Sequence, residues 1–101
     1  MCFCFFGDVI EDLLQAGSLR KIDSQKWEDL ERPLFDMDMR GKRIAIFQPG
    51  VGAPLAAGLM EEVIARGCHK IIACGGAGVL DREISVDNIL VPTPAVRDEG
   101  T

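Results

Sequence analysis

Two glycine-dense stretches follow apolar runs in this chain. Pro49-Gly-Val-Gly52 comes after Arg43-Ile-Ala-Ile-Phe47, and Gly75-Gly-Ala-Gly78 comes after Lys70-Ile-Ile-Ala-Cys74. Glycine has no Cβ, so its backbone N–H can touch a ligand, and successive N–H groups can form an anion-binding concavity. Such loops suit a phosphate or a sugar. In open α/β sheets, ligands gather at the carboxyl ends of parallel strands, which is where both loops fall. The same glycines also serve as tight turns that the fold needs by itself.

Other chemistries are excluded. Gly50-Val-Gly52 lacks the third glycine and the downstream acid of a dinucleotide site, and no GxxxxGK[ST] phosphate loop is present. Cys2-Phe-Cys4 is not a usual metal spacing, and His69 is the only histidine, so no metal site or cofactor is expected. Cys4 and Cys74 fall in apolar runs, which predicts buried, reduced thiols.

The elements that must position these residues follow from periodicity and punctuation. Residues 2–6 read as a short buried strand. Asp8 is placed to N-cap a helix with Glu11 as its capping-box partner, and Gly17 stops it. Residues 19–39 are mixed. Leu34, Met37 and Met39 suggest strand or irregular structure before a turn at Arg40-Gly41, and Trp27 packs at the edge of the core. Residues 43–48 predict a strand covered on both faces. Pro54 suits the first helical position of a helix running to about Arg66 and ended by Gly67. Leu55, Leu59 and Val63 would point inward, and Glu61 and Glu62 outward. Gly58 permits close packing. Residues 70–74 predict a second buried strand, which completes a βαβ unit. Residues 88–92 predict a further strand, pushed to an edge by Pro92 and Pro94.

The chain has 101 residues, 48% of them hydrophobic and 27% charged, which suits one domain. Its net charge of −5 and scattered basic residues argue against nucleic acid or an anionic membrane as partners. No segment reaches the ~20 apolar residues of a membrane span. Residues 1–6 are too short for a signal-peptide core, so a cytoplasmic location is expected.

Taken in order, the motifs resemble the nucleoside phosphorylase superfamily, which includes uridine and purine nucleoside phosphorylases and related nucleosidases. They are Gly41-Lys-Arg-Ile-Ala-Ile-Phe47, Gly50-Val-Gly-Ala-Pro54, the helix with Glu61-Glu62, Gly75-Gly-Ala-Gly-Val-Leu80, Val86-Asp-Asn-Ile-Leu-Val-Pro-Thr93 and Ala95-Val-Arg-Asp-Glu-Gly-Thr101. Gly7-Asp8 fits more loosely. The resemblance implies an α/β fold with a mixed sheet, βαβ units and flanking helices, present here as an N-terminal portion in one truncated domain, residues 1–101. It implies a homo-oligomer that cleaves the N-glycosidic bond of a nucleoside, with phosphate attacking the ribose C1′. Gly7, the Gly75, Gly76, Ala77 and Gly78 loop, and Arg97 would meet phosphate and substrate, and Val51 would lie near the sugar.

Three positions depart from the family. Glu11 and Ala73 stand where phosphorylases place phosphate-binding arginines, and Gly76 stands where they carry a hydroxyl. The nucleosidase branch instead uses an acidic residue soon after the first strand as the base that activates water, where Glu11 or Asp12 falls; the structural alternative is a helix cap at Glu11 and a solvated Asp12. The match breaks off at Asp98-Glu-Gly-Thr101, before the ribose-gripping and base-reading residues. The 101-residue chain alone is therefore expected to be catalytically incomplete. Its alternatives are a nucleosidase-like hydrolase lineage and a non-enzymatic remnant that binds a nucleoside or self-associates.

Overall fold

The computed structural model describes residues 1–101. The chain runs β1 (Cys2–Cys4), α1 (Gly7–Gln15), β2 (Arg20–Lys26), β3 (Glu31–Met39), β4 (Lys42–Phe47), α2 (Ala53–Ala65) and β5 (Ile72–Cys74). The strands form one mixed five-stranded sheet in the order β2-β3-β4-β1-β5. β1 pairs in parallel with both β4 and β5, while β2–β3 and β3–β4 are antiparallel. The fold is thus α/β with a mixed sheet, as expected. The strand–helix–strand unit of β4, α2 and β5 is present, with β1 inserted between its two strands.

Side chains alternate across a strand, so each face of the sheet needs its own cover. Phe3, Leu34 and Phe47 form one core with Leu59 and Val63 of α2. Cys4, Phe35 and Ile46 form the other with Ile10 of α1. Register explains the sorting: Phe3 lies beside Phe47 and Leu34 opposite it, whereas Cys2 lies beside Ile46. The Phe3 and Phe47 rings meet at 5.6 Å, tilted by 54°, a favourable aromatic geometry.

Residues 19–39 resolve into an antiparallel hairpin of β2 and β3 that ion pairs reinforce. Arg20 donates to both carboxylate oxygens of Asp36 at 3.1 and 2.8 Å, and Arg43 Nε donates to the same group at 2.9 Å. These hydrogen bonds, Arg20's first and Arg43's second, push the Asp36 pKa down to about 2. The far end of the hairpin grips α2. Trp27 Nε1 donates to Glu62 Oε1 at 2.6 Å, Arg66 pairs with Asp23, and the indole lies over Gly58. A Cβ at Gly58 would sit 3.0 Å from Trp27 Cη2, which is why this helix carries a glycine there. The expectations for Trp27 and Gly58 are met by one contact.

Several local expectations are corrected. Asp8 does not cap α1: the helix begins at Gly7, Phe6 holds the N-cap position, and no side chain caps it. Asp8 lies in the first turn, where a carboxylate still complements the helix dipole. The strand expected over 70–74 is confined to Ile72–Cys74 and is exposed, because β5 forms the sheet edge with no strand beyond it. Residues 88–92 form no strand and are exposed, since no neighbouring strand offers a ladder. Of the thiols expected to be buried, only Cys4 is. Cys2 and Cys68 are half-buried and Cys74 is exposed.

Candidate functional site

β1 and β4 run parallel, so Gly7 and Gly50 emerge at the same end of the sheet. The antiparallel β3 begins at that end, because Leu34 pairs with Phe47. A cleft of about 510 Å³ opens there. Gly7, Ile10, Glu11 and Leu14 of α1 form one wall, Leu30 to Pro33 another, and Phe35, Gln48 and Gly50 the remainder.

Gly7 and Gln48 approach closely. A Cβ on Gly7 would lie 3.0 Å from Gln48 Nε2, so the missing side chain leaves room for the amide. Gly50 has φ +81°, in the left-handed region that favours glycine. A Cβ there would meet Leu55 Cδ2 at 2.8 Å and approach Arg32 Nε to 3.6 Å. The turn therefore needs glycine on two grounds.

Arg32 was not marked by any sequence motif. It is buried, 8% exposed, beside Gly50, and it is held by Asp29 through bonds of 3.0 and 3.4 Å. Those hydrogen bonds hold the Asp29 carboxyl below its usual range. Asp29 itself is exposed, so Arg32 is a buried cation whose counter-ion sits at the surface. Glu11 is exposed on the α1 wall. Glu31 pairs with Lys21 at 3.0 Å. Hydrogen bonds from Ser24 first and Lys21 second lower its pKa.

The structure brings Gly7 and Glu11 together with Gly50, Gln48 and Arg32. The other sequence-derived site residues lie outside this cleft. Val51 is 93% exposed at the tip of the β4–α2 turn. Gly75 and Gly76 leave β5 at the same end of the sheet and rest against Phe5 and Phe6, at 3.5 Å from a Cβ in each case. Ala77, Gly78 and Arg97 are exposed. No group of three or more His, Cys, Asp and Glu side chains is placed to hold a metal ion. No helix is long and apolar enough to cross a membrane.

Strand-end glycines around a cleft occur in many α/β proteins, and the comparison of sequences decides between them. A model of the phosphorylase superfamily matches residues 1–101. This chain belongs to the phosphorylase superfamily. It is 28% identical to a uridine phosphorylase of Thermococcus kodakarensis, an alignment that covers 97% of this chain and 39% of the relative. It is 30% identical to a guanosine phosphorylase of Halorubrum lacusprofundi, over 73% of this chain and 31% of that protein. A uridine phosphorylase of Treponema pallidum is 33% identical over 57% of this chain and 22% of its own length. The chain thus spans less than half the length of each of these superfamily relatives. No solved structure matches.

Proposed function

We propose that this chain carries the phosphate- and pentose-binding part of a site that cleaves the N-glycosidic bond of a nucleoside. The observation that carries this reading is the buried Arg32 beside Gly50, in one cleft with Gly7 and Glu11. Arginine holds a phosphate by paired, charge-assisted N–H bonds. Arg32 would replace the family arginines that give way to Glu11 and Ala73. Incoming phosphate would displace the exposed Asp29 from the guanidinium and accept from the backbone N–H of Gly7, and the Gly76–Ala77 loop, outside the cleft at the same end of the sheet, would add its N–H groups by closing over the anion. Held there, a phosphate oxygen attacks the ribose C1′ as the base departs. Val51 and Arg97 would close on the sugar and the anion when the tip and the tail fold inward. The nucleosides expected are those of the relatives' names, uridine and guanosine.

Such a site needs both reactants oriented, and orientation supplies much of the rate. The aligned region covers 39% or less of each relative. We therefore expect the 101 residues alone to bind without efficient turnover. A homo-oligomer is part of the proposal, supported by the exposed apolar side chains of residues 79–96.

A second reading is supported by Glu11 on the wall of the cleft. A carboxylate repels a phosphate dianion but can activate water. Identification of the sugar formed from uridine and guanosine, with and without inorganic phosphate, separates the two. Ribose 1-phosphate formed only when phosphate is present supports phosphorolysis. Free ribose formed at the same rate in both conditions overturns it in favour of hydrolysis, and Glu11→Gln should then abolish that product.

A further inference from the structure

Three cysteines converge where β1 meets the edge strand. Cys4 lies in register beside Cys74, and Cys2 lies in register beside Ile72. Strand side chains alternate, so Cys2, Cys4 and Cys74 share one face of the sheet. Burial first, and the neighbouring Cys74 thiol second, push the Cys2 thiol up to about 11. The backbones are locked together by Phe5 N–H to Cys74 O and Ile72 N–H to Met1 O, both at 2.9 Å. Adjacent strands lie about 4.8 Å apart. That spacing falls inside the Cα separation of roughly 4.4–6.8 Å that a disulfide bridges. The three thiols differ in access. Cys74 is exposed, Cys2 half-buried and Cys4 buried. Oxidant thus reaches Cys74 first, while two further thiols wait within the same protein.

We propose that Cys74 is an oxidation site whose product is resolved by a β1 cysteine, giving a disulfide strap between β1 and β5. Hydrogen peroxide is the oxidant. Cys74 sulfur attacks one peroxide oxygen, the O–O bond breaks, and water leaves, forming a sulfenic acid. The sulfur of Cys2 or Cys4 then attacks the Cys74 sulfur. The S–O bond breaks, and the hydroxide takes the resolving thiol's proton and leaves as water. One peroxide is reduced to two waters as two thiols become one disulfide. Sulfenic acid that no thiol intercepts passes on to irreversible states, so a nearby resolving thiol also protects the site. The strap ties down the strand that leads directly into Gly75–Gly78, so oxidation state would set how freely that loop moves.

Cys68 provides an internal control, because it follows α2 and its thiol contacts Lys70 O at 3.6 Å. The test is peroxide treatment of dilute protein, alkylation of remaining thiols, tryptic digestion without reductant, and mass spectrometry. Free thiols should fall from four to two. Peptide Met1–Arg20, which holds Cys2 and Cys4, should be recovered linked to peptide Ile71–Arg82, which holds Cys74. Dithiothreitol should restore both. Cys74→Ser should leave both β1 thiols free. Cys2→Ser and Cys4→Ser, made singly, identify the resolving residue, and the double variant should lose the strap. Recovery of Cys74 only as sulfinic acid, a link to Cys68, or a link between two chains would each overturn the proposal. So would loss of two thiols in Cys74→Ser.

Discussion

At the residue scale the decisive contrast is between two buried polar side chains. Arg32 is buried with a partner and a route to solvent, whereas Gln25, its register neighbour on β2, is buried with neither. Both amide atoms of Gln25 lack a hydrogen-bond partner within the protein. A buried polar group left unpaired costs about 1–3 kcal/mol. Gln25→Met should therefore raise the midpoint of urea unfolding, by a stabilisation of about 1 kcal/mol or more. A lower midpoint would mean the amide is satisfied in solution. Neither residue was legible in the sequence. Arg32 sits in a polar stretch without periodicity, and its burial arises only when the start of β3 folds against the Gly50 turn. Gly7 and Glu11 were marked in the sequence by the family resemblance, and the structure sets both on the wall of the cleft.

On β2, charge and one neighbouring aromatic do what apolar alternation does on β1, β3 and β4. Arg20-Lys-Ile-Asp-Ser-Gln-Lys26 has no strand pattern, and for that reason the hairpin was hidden in the sequence. The strand at 43–48 and the helix after Pro54 were readable, since an apolar run and Gly/Pro punctuation mark both. Asp36 binds β2, β3 and β4 together, and its pKa is depressed to about 2 from the usual carboxylate value of 3.8. A depressed carboxylate contributes stability that is fully present above its unfolded pKa and lost as pH falls through the folded one. Unfolding monitored against pH should show stability declining from about pH 4 toward pH 2, and Asp36→Asn should flatten that decline. At the α2 contact, Gly58→Leu would drive a side chain into Trp27. Overpacking of this kind costs about 1–3 kcal/mol. Trp27 is the only tryptophan, so its emission should shift to the red as the indole is expelled.

Over the whole molecule, apolar surface is distributed unevenly. The two cores lie under α1 and α2, while Leu80, Val86, Ile89, Val91 and Val96 stand in solvent on the segment that follows β5. Exposed apolar surface of this extent, beside an unpaired strand edge, favours association. Sedimentation should show a concentration-dependent increase in size, and a strictly monomeric protein would contradict the proposed oligomer. The apolar run at 88–92 looked like a strand because composition alone supplies β propensity, whereas a strand also needs a neighbour to pair with. Calorimetric titration with inorganic phosphate reads the cleft itself. Binding should be saturable and should tighten in Asp29→Asn, where the competing carboxylate is gone. Binding should be lost in Arg32→Gln and partly kept in Arg32→Lys. Equal phosphate affinity in the native protein and Arg32→Gln, with both variants folded, would contradict the proposed phosphate site.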